Sequence, residues 1–152
     1  MWKRLRKALV WIAALQAIAW VTGQIIARRL SKGDEQSDEF QLVSICGGKK
    51  FRSRTGRLRS GSVVAALGGV ELDLRDAQLD PAGATIDVDA TMGGVQIVVP
   101  DGWLVLVETS GFAGGADTKV TDPAELPDTA PRLRVHATAR MGGTQVISDS
   151  RR

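Results

Sequence analysis

Short alternations of apolar and polar residues recur along the last two-thirds of the chain, and most are interrupted by two adjacent glycines. In the clearest case, apolar residues stand at every second position from Ile86 to Met92 and again from Val95 to Val99. An alternation with a period of two predicts β-strands that bury one face. The glycines between the two runs predict a sharp change of chain direction between two short strands.

Five glycine pairs give this part of the chain a repeat. Their first residues are 21, 25, 21 and 28 positions apart, a period typical of one small supersecondary unit per repeat. The pairs are Gly47-Gly48, Gly68-Gly69, Gly93-Gly94, Gly114-Gly115 and Gly142-Gly143. Units of this size bury their apolar faces by stacking on their neighbours. The pattern therefore predicts an all-β fold, a repeat-built stack of short strands that resembles a β-helix solenoid.

At each glycine pair the chain either reverses in a two-residue hairpin turn or bends at a corner between stacked strands. In both cases we expect the two glycines to adopt a positive φ, which glycine tolerates and residues with a Cβ do not. Both geometries leave the same apolar residues on the inner face, including Leu67, Met92 and Met141 beside the pairs. The sequence therefore leaves the choice between hairpin and solenoid corner open.

Two longer phrases resemble a known family. Residues Gly68–Ala77 read GGVELDLRDA, and residues Gly93–Trp103 read GGVQIVVPDGW. They are similar to phrases in the C-terminal (toastrack) domain of the LiaF-type cell-wall-active antibiotics response proteins, over roughly residues 43–146. The resemblance implies a stack of short strands in a non-enzymatic, membrane-associated protein linked to envelope stress signalling. The first and fourth glycine pairs depart from the family pattern, so we expect looser packing there.

The N-terminus predicts a separate element. An uncharged stretch of 20 residues runs from Ala8 to Ala27, with basic residues on both sides. This length is sufficient to cross the hydrocarbon core of a bilayer. The cations lie at the ends of the stretch rather than along one face, so a spanning helix is favoured over a helix lying in the membrane plane. We therefore expect one transmembrane helix within residues 1–30, with a cleaved signal peptide as the alternative.

These features divide the chain into four parts. They are a membrane anchor helix with basic flanks (1–30), a polar linker (31–39), a LiaF-like all-β repeat domain (40–148) and a short tail (149–152). Slightly more positive charges precede the helix than follow it, which favours an extracytoplasmic β domain. We therefore expect a single-pass protein of the cell membrane.

Charge is divided unevenly along the chain. Residues 1–59 carry nine more basic than acidic residues, and residues 60–152 carry six more acidic than basic ones. Six cations with no acid between them form a basic run, made of Lys49, Lys50, Arg52, Arg54, Arg57 and Arg59. The basic run is a candidate contact for an anionic surface such as lipid head groups, or else a solvated loop. Nucleic acid is not an expected partner, because only Phe51 is interleaved and the rest of the domain is acidic.

Residues suited to catalysis or metal binding are scarce. The chain has one cysteine and one histidine, Cys46 and His136, in different repeats. Zinc sites need more ligands of this kind, and a Cys-His nucleophile needs a third, orienting group. We interpret Cys46 as a small buried apolar residue and His136 as a solvated one. The sequence therefore predicts no catalytic, metal or cofactor site, and hence a protein that is not an enzyme.

Two functions fit these observations. The first is a sensory, regulatory or scaffold component of the bacterial cell-envelope stress response, whose β domain binds a signalling protein or an envelope component. The second is a structural module that self-assembles into homo-oligomers at the membrane through the open ends of the β stack, since exposed sheet ends recruit further strands.

Overall fold

A computed structural model describes residues 2–149, with side chains from residue 12 onward apart from Gln24 and Ala27. The predicted tail beyond Asp149 lies outside these residues. One α-helix, α1 (Trp2–Leu30), precedes eight strands within the described range. The strands are β1 (Glu39–Arg52), β2 (Ser60–Asp73), β3 (Ala84–Thr91), β4 (Gly94–Pro100), β5 (Leu104–Phe112), β6 (Gly115–Lys119), β7 (Arg132–Arg140) and β8 (Gly143–Asp149).

The eight strands pair in parallel, and the register aligns each glycine pair with the glycine pair of the neighbouring turn of the stack. Gly48 pairs with Gly69, Gly69 with Gly94, Gly94 with Gly143, and Gly143 with Gly115. The strand before a glycine pair does not pair with the strand after it, so the hairpin alternative is wrong. Each pair is instead a corner of a parallel β-solenoid, and the predicted β-rich stack of short strands is confirmed.

Each turn of the solenoid is a rung, with a first arm before the glycine pair and a second arm after it. Counted along the stack, rung 1 is β1, rung 2 is β2, rung 3 is β3 and β4, rung 4 is β7 and β8, and rung 5 is β5 and β6. The fifth repeat of the sequence (β7 and β8) therefore lies, in the stack, between the third repeat (β3 and β4) and the fourth repeat (β5 and β6). The crossover is the segment 120–131, which contains three prolines and a short 3₁₀ helix at Pro123–Glu125.

Alternating side chains from both arms fill the interior, as the sequence pattern predicts. Fully buried core residues include Val63, Ile86, Leu133 and Val135 from first arms, Leu72, Ile97 and Val146 from second arms, and Leu58 and Leu74 from the connections. Burial of large aliphatic side chains of this kind stabilises the fold by roughly 1.5–3 kcal/mol each.

The residues next to the glycine pairs break this alternation. The positive φ at each corner belongs to the residue before the pair, at Cys46, Leu67, Met92, Ala113 and Met141, with φ between 51° and 56°. Among the ten glycines of the pairs only Gly47 has a positive φ. The prediction that both glycines need a positive φ is therefore wrong. The prediction that Leu67, Met92 and Met141 point inward is also wrong, because the left-handed conformation turns these side chains outward.

Rung 1 is covered by the end of α1 and by the segment 31–38. Lys32 forms two antiparallel backbone hydrogen bonds with Gln41, of 2.8 and 2.7 Å. The Ser31 hydroxyl accepts a hydrogen bond from the Val43 N–H at 3.2 Å. The polar segment predicted as a linker is thus bound to the outer side of the first rung.

Most apolar side chains described on α1 are exposed. The large ones are Ile12, Leu15, Ile18, Trp20, Val21, Ile25, Ile26 and Leu30. Within the part of the chain that the structure describes, no helix is both long and apolar enough to cross a membrane. The N-terminal helix is confirmed, and its predicted passage through a bilayer stays a prediction.

Candidate functional site

The two glycines of each pair have different surroundings. At the first glycine of rungs 2 to 5, a Cβ would overlap the neighbouring rung: at Gly68 it would meet the carbonyl oxygen of Gly47, and at Gly93 that of Gly68. Close approach of two backbones therefore requires glycine there. At the second glycine there is space. A Cβ on Gly94 would have the carbonyl oxygen of Gly143, 3.9 Å away, as its nearest neighbour.

The other second glycines share this freedom. A Cβ added to Gly48 or Gly115 would have nothing within 4 Å, and one added to Gly69 or Gly143 would make ordinary contacts of 3.8 and 3.7 Å. Glycine inside a strand is less stable than alanine by about 0.5–1 kcal/mol. Since neither φ nor packing requires glycine at these positions, their residue type needs another explanation. Glycine in such places is typical where a ligand or another backbone approaches closely.

The second glycines line an open groove of about 900 Å³ that crosses all five rungs. We call it the glycine groove, and its glycines are Gly48, Gly69, Gly94, Gly143 and Gly115 in stack order. Neighbouring strands lie about 4.8 Å apart, so the groove is about 19 Å long.

A file of polar side chains follows the groove, two residues beyond each second glycine. It runs from Lys50 in rung 1 through Glu71, Gln96 and Gln145 to Asp117 in rung 5. Lys50 Nζ lies 2.6 Å from Glu71 Oε2, and Gln145 Nε2 donates a hydrogen bond to Asp117 Oδ2 at 3.2 Å. The groove is therefore basic at the rung 1 end, where Lys50 pairs with Glu71 of rung 2, lined by amides in rungs 3 and 4, and acidic at the rung 5 end.

Lys49 closes the basic end of the glycine groove. It occupies the inward position that Val70 and Val95 take in the next two rungs. Its ammonium group donates a hydrogen bond to Ser31 Oγ at 2.7 Å, and burial lowers the pKa of Lys49. This end of the groove therefore lies against the end of α1.

An apolar ridge precedes the second glycines by two residues. It consists of Leu67, Met92 and Met141 in rungs 2, 3 and 4, which are 54%, 53% and 61% exposed. A residue with a Cβ adopts the left-handed conformation at a cost of roughly 1–2 kcal/mol. Strained, exposed apolar residues of this kind concentrate at binding sites. Along each of these rungs the second glycine thus lies between an apolar and a polar residue.

The six cations of the basic run all have partners within the protein, and Lys49, Lys50 and Arg52 lie in β1 rather than in a loop. Lys49 contacts Ser31, Lys50 contacts Glu71, Arg52 contacts Asp73 and Asp76, Arg54 contacts Glu35, and Arg57 and Arg59 contact Asp80. Five of these cations keep exposed side chains, Lys49 being the partly buried one. Their contact with an anionic surface stays a prediction.

One carboxylate joins three rungs at the far end of the second arms. Asp73 is nearly buried and accepts hydrogen bonds from the guanidinium groups of Arg75 and Arg52. The hydrogen bond from Arg75, followed by that from Arg52, holds the pKa of Asp73 well below its usual range. Arg75 also lies 2.9 Å from the Asp149 carboxylate of rung 4. These ion pairs therefore link rungs 1, 2 and 4.

The structure does not bring Cys46 and His136 together. Cys46 is a free, partly exposed thiol, because it occupies a corner of the end rung rather than an inward position. His136 lies among acids, with Nδ1 3.2 Å from Asp87 Oδ1 and Nε2 3.6 Å from Glu108 Oε2. No group of His, Cys, Asp or Glu residues suited to holding a metal ion occurs in the described part of the chain.

Sequence reasoning assigned all ten glycines to structural turns and missed the polar file beside five of them. The sequence does contain a sign of these polar residues. When the repeats are aligned on their glycine pairs, every repeat has a charged or amide residue two positions after the second glycine. These residues become neighbours only once the repeats are known to stack in parallel.

Fold and groove together define a short parallel β-solenoid with an elongated surface groove. No protein-family model, curated protein or solved structure matches the chain. The resemblance to the LiaF-type family therefore rests on the two sequence phrases.

Proposed function

We propose that this is a non-enzymatic binding protein, held at the cell membrane by α1, whose glycine groove binds an extended segment of a partner protein. The resemblance to LiaF-type proteins suggests a sensory, regulatory or scaffold role in the bacterial cell-envelope stress response. The observation that carries the proposal is the set of five second glycines, which neither backbone conformation nor packing explains.

An extended peptide fits the dimensions and the chemistry of the groove. A length of about 19 Å accommodates about six residues of extended chain. The amides of Gln96 and Gln145 can both donate to and accept from a peptide backbone. Lys50 and Asp117 at the two ends favour a segment with an acidic and a basic end. The two methionines of the apolar ridge adapt their shape to an apolar side chain.

Membrane attachment in this proposal rests on α1. Its exposed apolar side chains are typical of a helix that an apolar environment covers, and cations flank its uncharged stretch. Since residues 31–38 are bound to rung 1, the basic run would then lie near the head groups, where each cation contributes about 1 kcal/mol on an anionic surface.

The test is a peptide-display selection on the full chain in lipid nanodiscs. We expect it to yield peptides with one acidic and one basic end. Their affinity should fall about ten-fold or more for Gly94→Leu, whose side chain fills the groove. Gly56→Leu is the matched control, because Gly56 lies outside the groove and also has nothing within 4 Å of its Cβ position.

Peptides that bind Gly94→Leu as tightly as the wild type would contradict the proposal, as would a selection that yields none. Binding of cell-wall oligosaccharides that is lost in Gly94→Leu and kept in Gly56→Leu would retain the groove as the site and replace the peptide as its occupant.

A further inference from the structure

The two ends of the solenoid differ. The outer edge of rung 1 is bonded to Ser31 and Lys32. At the other end, within residues 2–149, no further strand pairs with the outer edge of β5 or β6. Every residue from Glu108 to Lys119 is exposed. Rung 5 therefore presents an open strand edge, which is a template for pairing with another chain.

We propose that a second copy of this chain covers rung 5. The corner between Ala113 and Gly114 suggests the symmetry. A twofold axis through this corner, along its bisector, places β5 of each copy antiparallel to β6 of the other, so both arms pair at once. This contact uses the same surface on both copies and closes as a dimer.

The alternation of the two strands selects the register. In β5 the outward residues are Glu108, Ser110 and Phe112, and in β6 they are Asp117 and Lys119. Outward residues must face outward residues across a strand pair. With the axis at the corner, Glu108 faces the partner's Lys119, and Ser110 faces the partner's Asp117. Opposite charges thus meet at the outer end of each arm.

Among the side chains that the structure describes, neither charge has a closer partner within its own copy. Lys119 Nζ lies 3.9 Å from Asp117 Oδ2, and Glu108 Oε2 lies 3.6 Å from His136 Nε2. Both distances are longer than a hydrogen bond. Pairing across the dimer therefore brings together two charges that are available for it.

The same register covers Phe112. Its side chain is 85% exposed, more than any other large hydrophobic side chain described. In the dimer it faces the partner's Gly115, where a Cβ would have nothing within 4 Å in the single copy. A glycine at this position leaves room for the aromatic ring, so its apolar surface is removed from water without collision.

The bonded first arm of rung 1 limits growth of the assembly. A stack with two open ends would grow into a filament, but here Lys32 and Ser31 are bonded to the outer edge of the first arm of rung 1, and an isologous contact consumes the rung 5 end.

The test is sedimentation equilibrium of the full chain in detergent over a dilution series. We expect a monomer–dimer equilibrium with no larger species. Glu108→Lys and Lys119→Glu should each raise the dimer dissociation constant about ten-fold, because each change places like charges opposite one another twice per dimer. The double variant, with the charges exchanged, should restore the wild-type value.

A second pair of variants tests the contact at Phe112. Gly115→Leu should abolish the dimer, and Gly48→Leu, the same change in the covered rung 1, should leave it intact; circular dichroism confirms that both fold. A wild-type chain that stays monomeric overturns the proposal. So does a dimer that tolerates both single charge reversals, or a particle that keeps growing with concentration.

Discussion

In rungs 2 to 5, a single added β-carbon distinguishes the two glycines of a corner. At the first glycine it would meet the backbone of the adjacent rung, which cannot move without breaking strand pairing. At the second it would enter the glycine groove. Stability therefore explains one glycine, and the proposed binding explains the other.

Substitution of two adjacent glycines by alanine tests this division. Gly93→Ala should lower the free energy of unfolding by roughly 1–3 kcal/mol, because its Cβ forces the backbone of Gly68 to shift. Gly94→Ala should raise it by about 0.5 kcal/mol, since alanine is favoured over glycine in a strand. Urea unfolding of both variants in one detergent measures the difference. Equal destabilisation by the two changes would contradict the distinct roles.

Asp73 predicts a pH dependence of stability. Its pKa in the folded protein is lowered from 3.8, first by Arg75 and then by Arg52. A lowered carboxyl pKa gives a stabilisation that is complete above the unfolded pKa and is lost as the pH falls through the folded one. Near neutral pH, Asp73→Asn should therefore destabilise the fold by about 2 kcal/mol, and this difference should shrink below about pH 4.

Urea unfolding across this pH range measures the effect. Asp76→Asn is the control, because the Asp76 side chain is 45% exposed and lies 3.6 Å from Arg52. A deficit of Asp73→Asn that stays constant into the acid range would show that the charge of the carboxylate is not what stabilises the fold.

At the scale of the element, α1 is joined to the β stack at rung 1, which contains β1. Ser31 and Lys32, which bond to β1, follow α1 in the chain. The helix can therefore be removed without removing the residues that bond to the edge of rung 1.

Deletion of residues 1–30 should release the protein from the membrane fraction, since the uncharged 20-residue stretch lies there. Cell fractionation followed by carbonate extraction compares the truncated and full chains, and circular dichroism checks that the truncated chain keeps its β structure. If the truncated chain resists carbonate extraction, the anchor lies elsewhere in the protein.

The strands were predictable from sequence because successive side chains of a strand point to opposite faces, so a strand with one buried face alternates apolar and polar residues. Ile86, Val88 and Ala90 are buried as their spacing predicts. The pattern failed at Met92, which continues the alternation but adopts a left-handed conformation that its residue type does not indicate. The groove was not predictable in the same way, because Gly93 and Gly94 differ only in what the neighbouring rungs place beside them.

At the scale of the whole molecule, the order of the rungs was beyond reach of the sequence pattern. The second, third and fifth repeats have similar apolar alternation, so the sequence pattern does not distinguish their order, and pairing partners are set by contacts far apart in the chain. The proline-containing crossover 120–131 is the one local sign that the fifth repeat is placed differently.

The interior position of β7 and β8 has a consequence for synthesis. A nascent solenoid can usually fold repeat by repeat as it leaves the ribosome, because each repeat contacts only its neighbours. Here the fourth repeat has to wait, since the rung on which it rests is synthesised after it. Leu133, Val135 and Val146, all fully buried, are supplied by β7 and β8. Completion of the stack therefore depends on synthesis of residues 132–149, and a chain stopped at Pro131 would lack a layer from its middle rather than from its end.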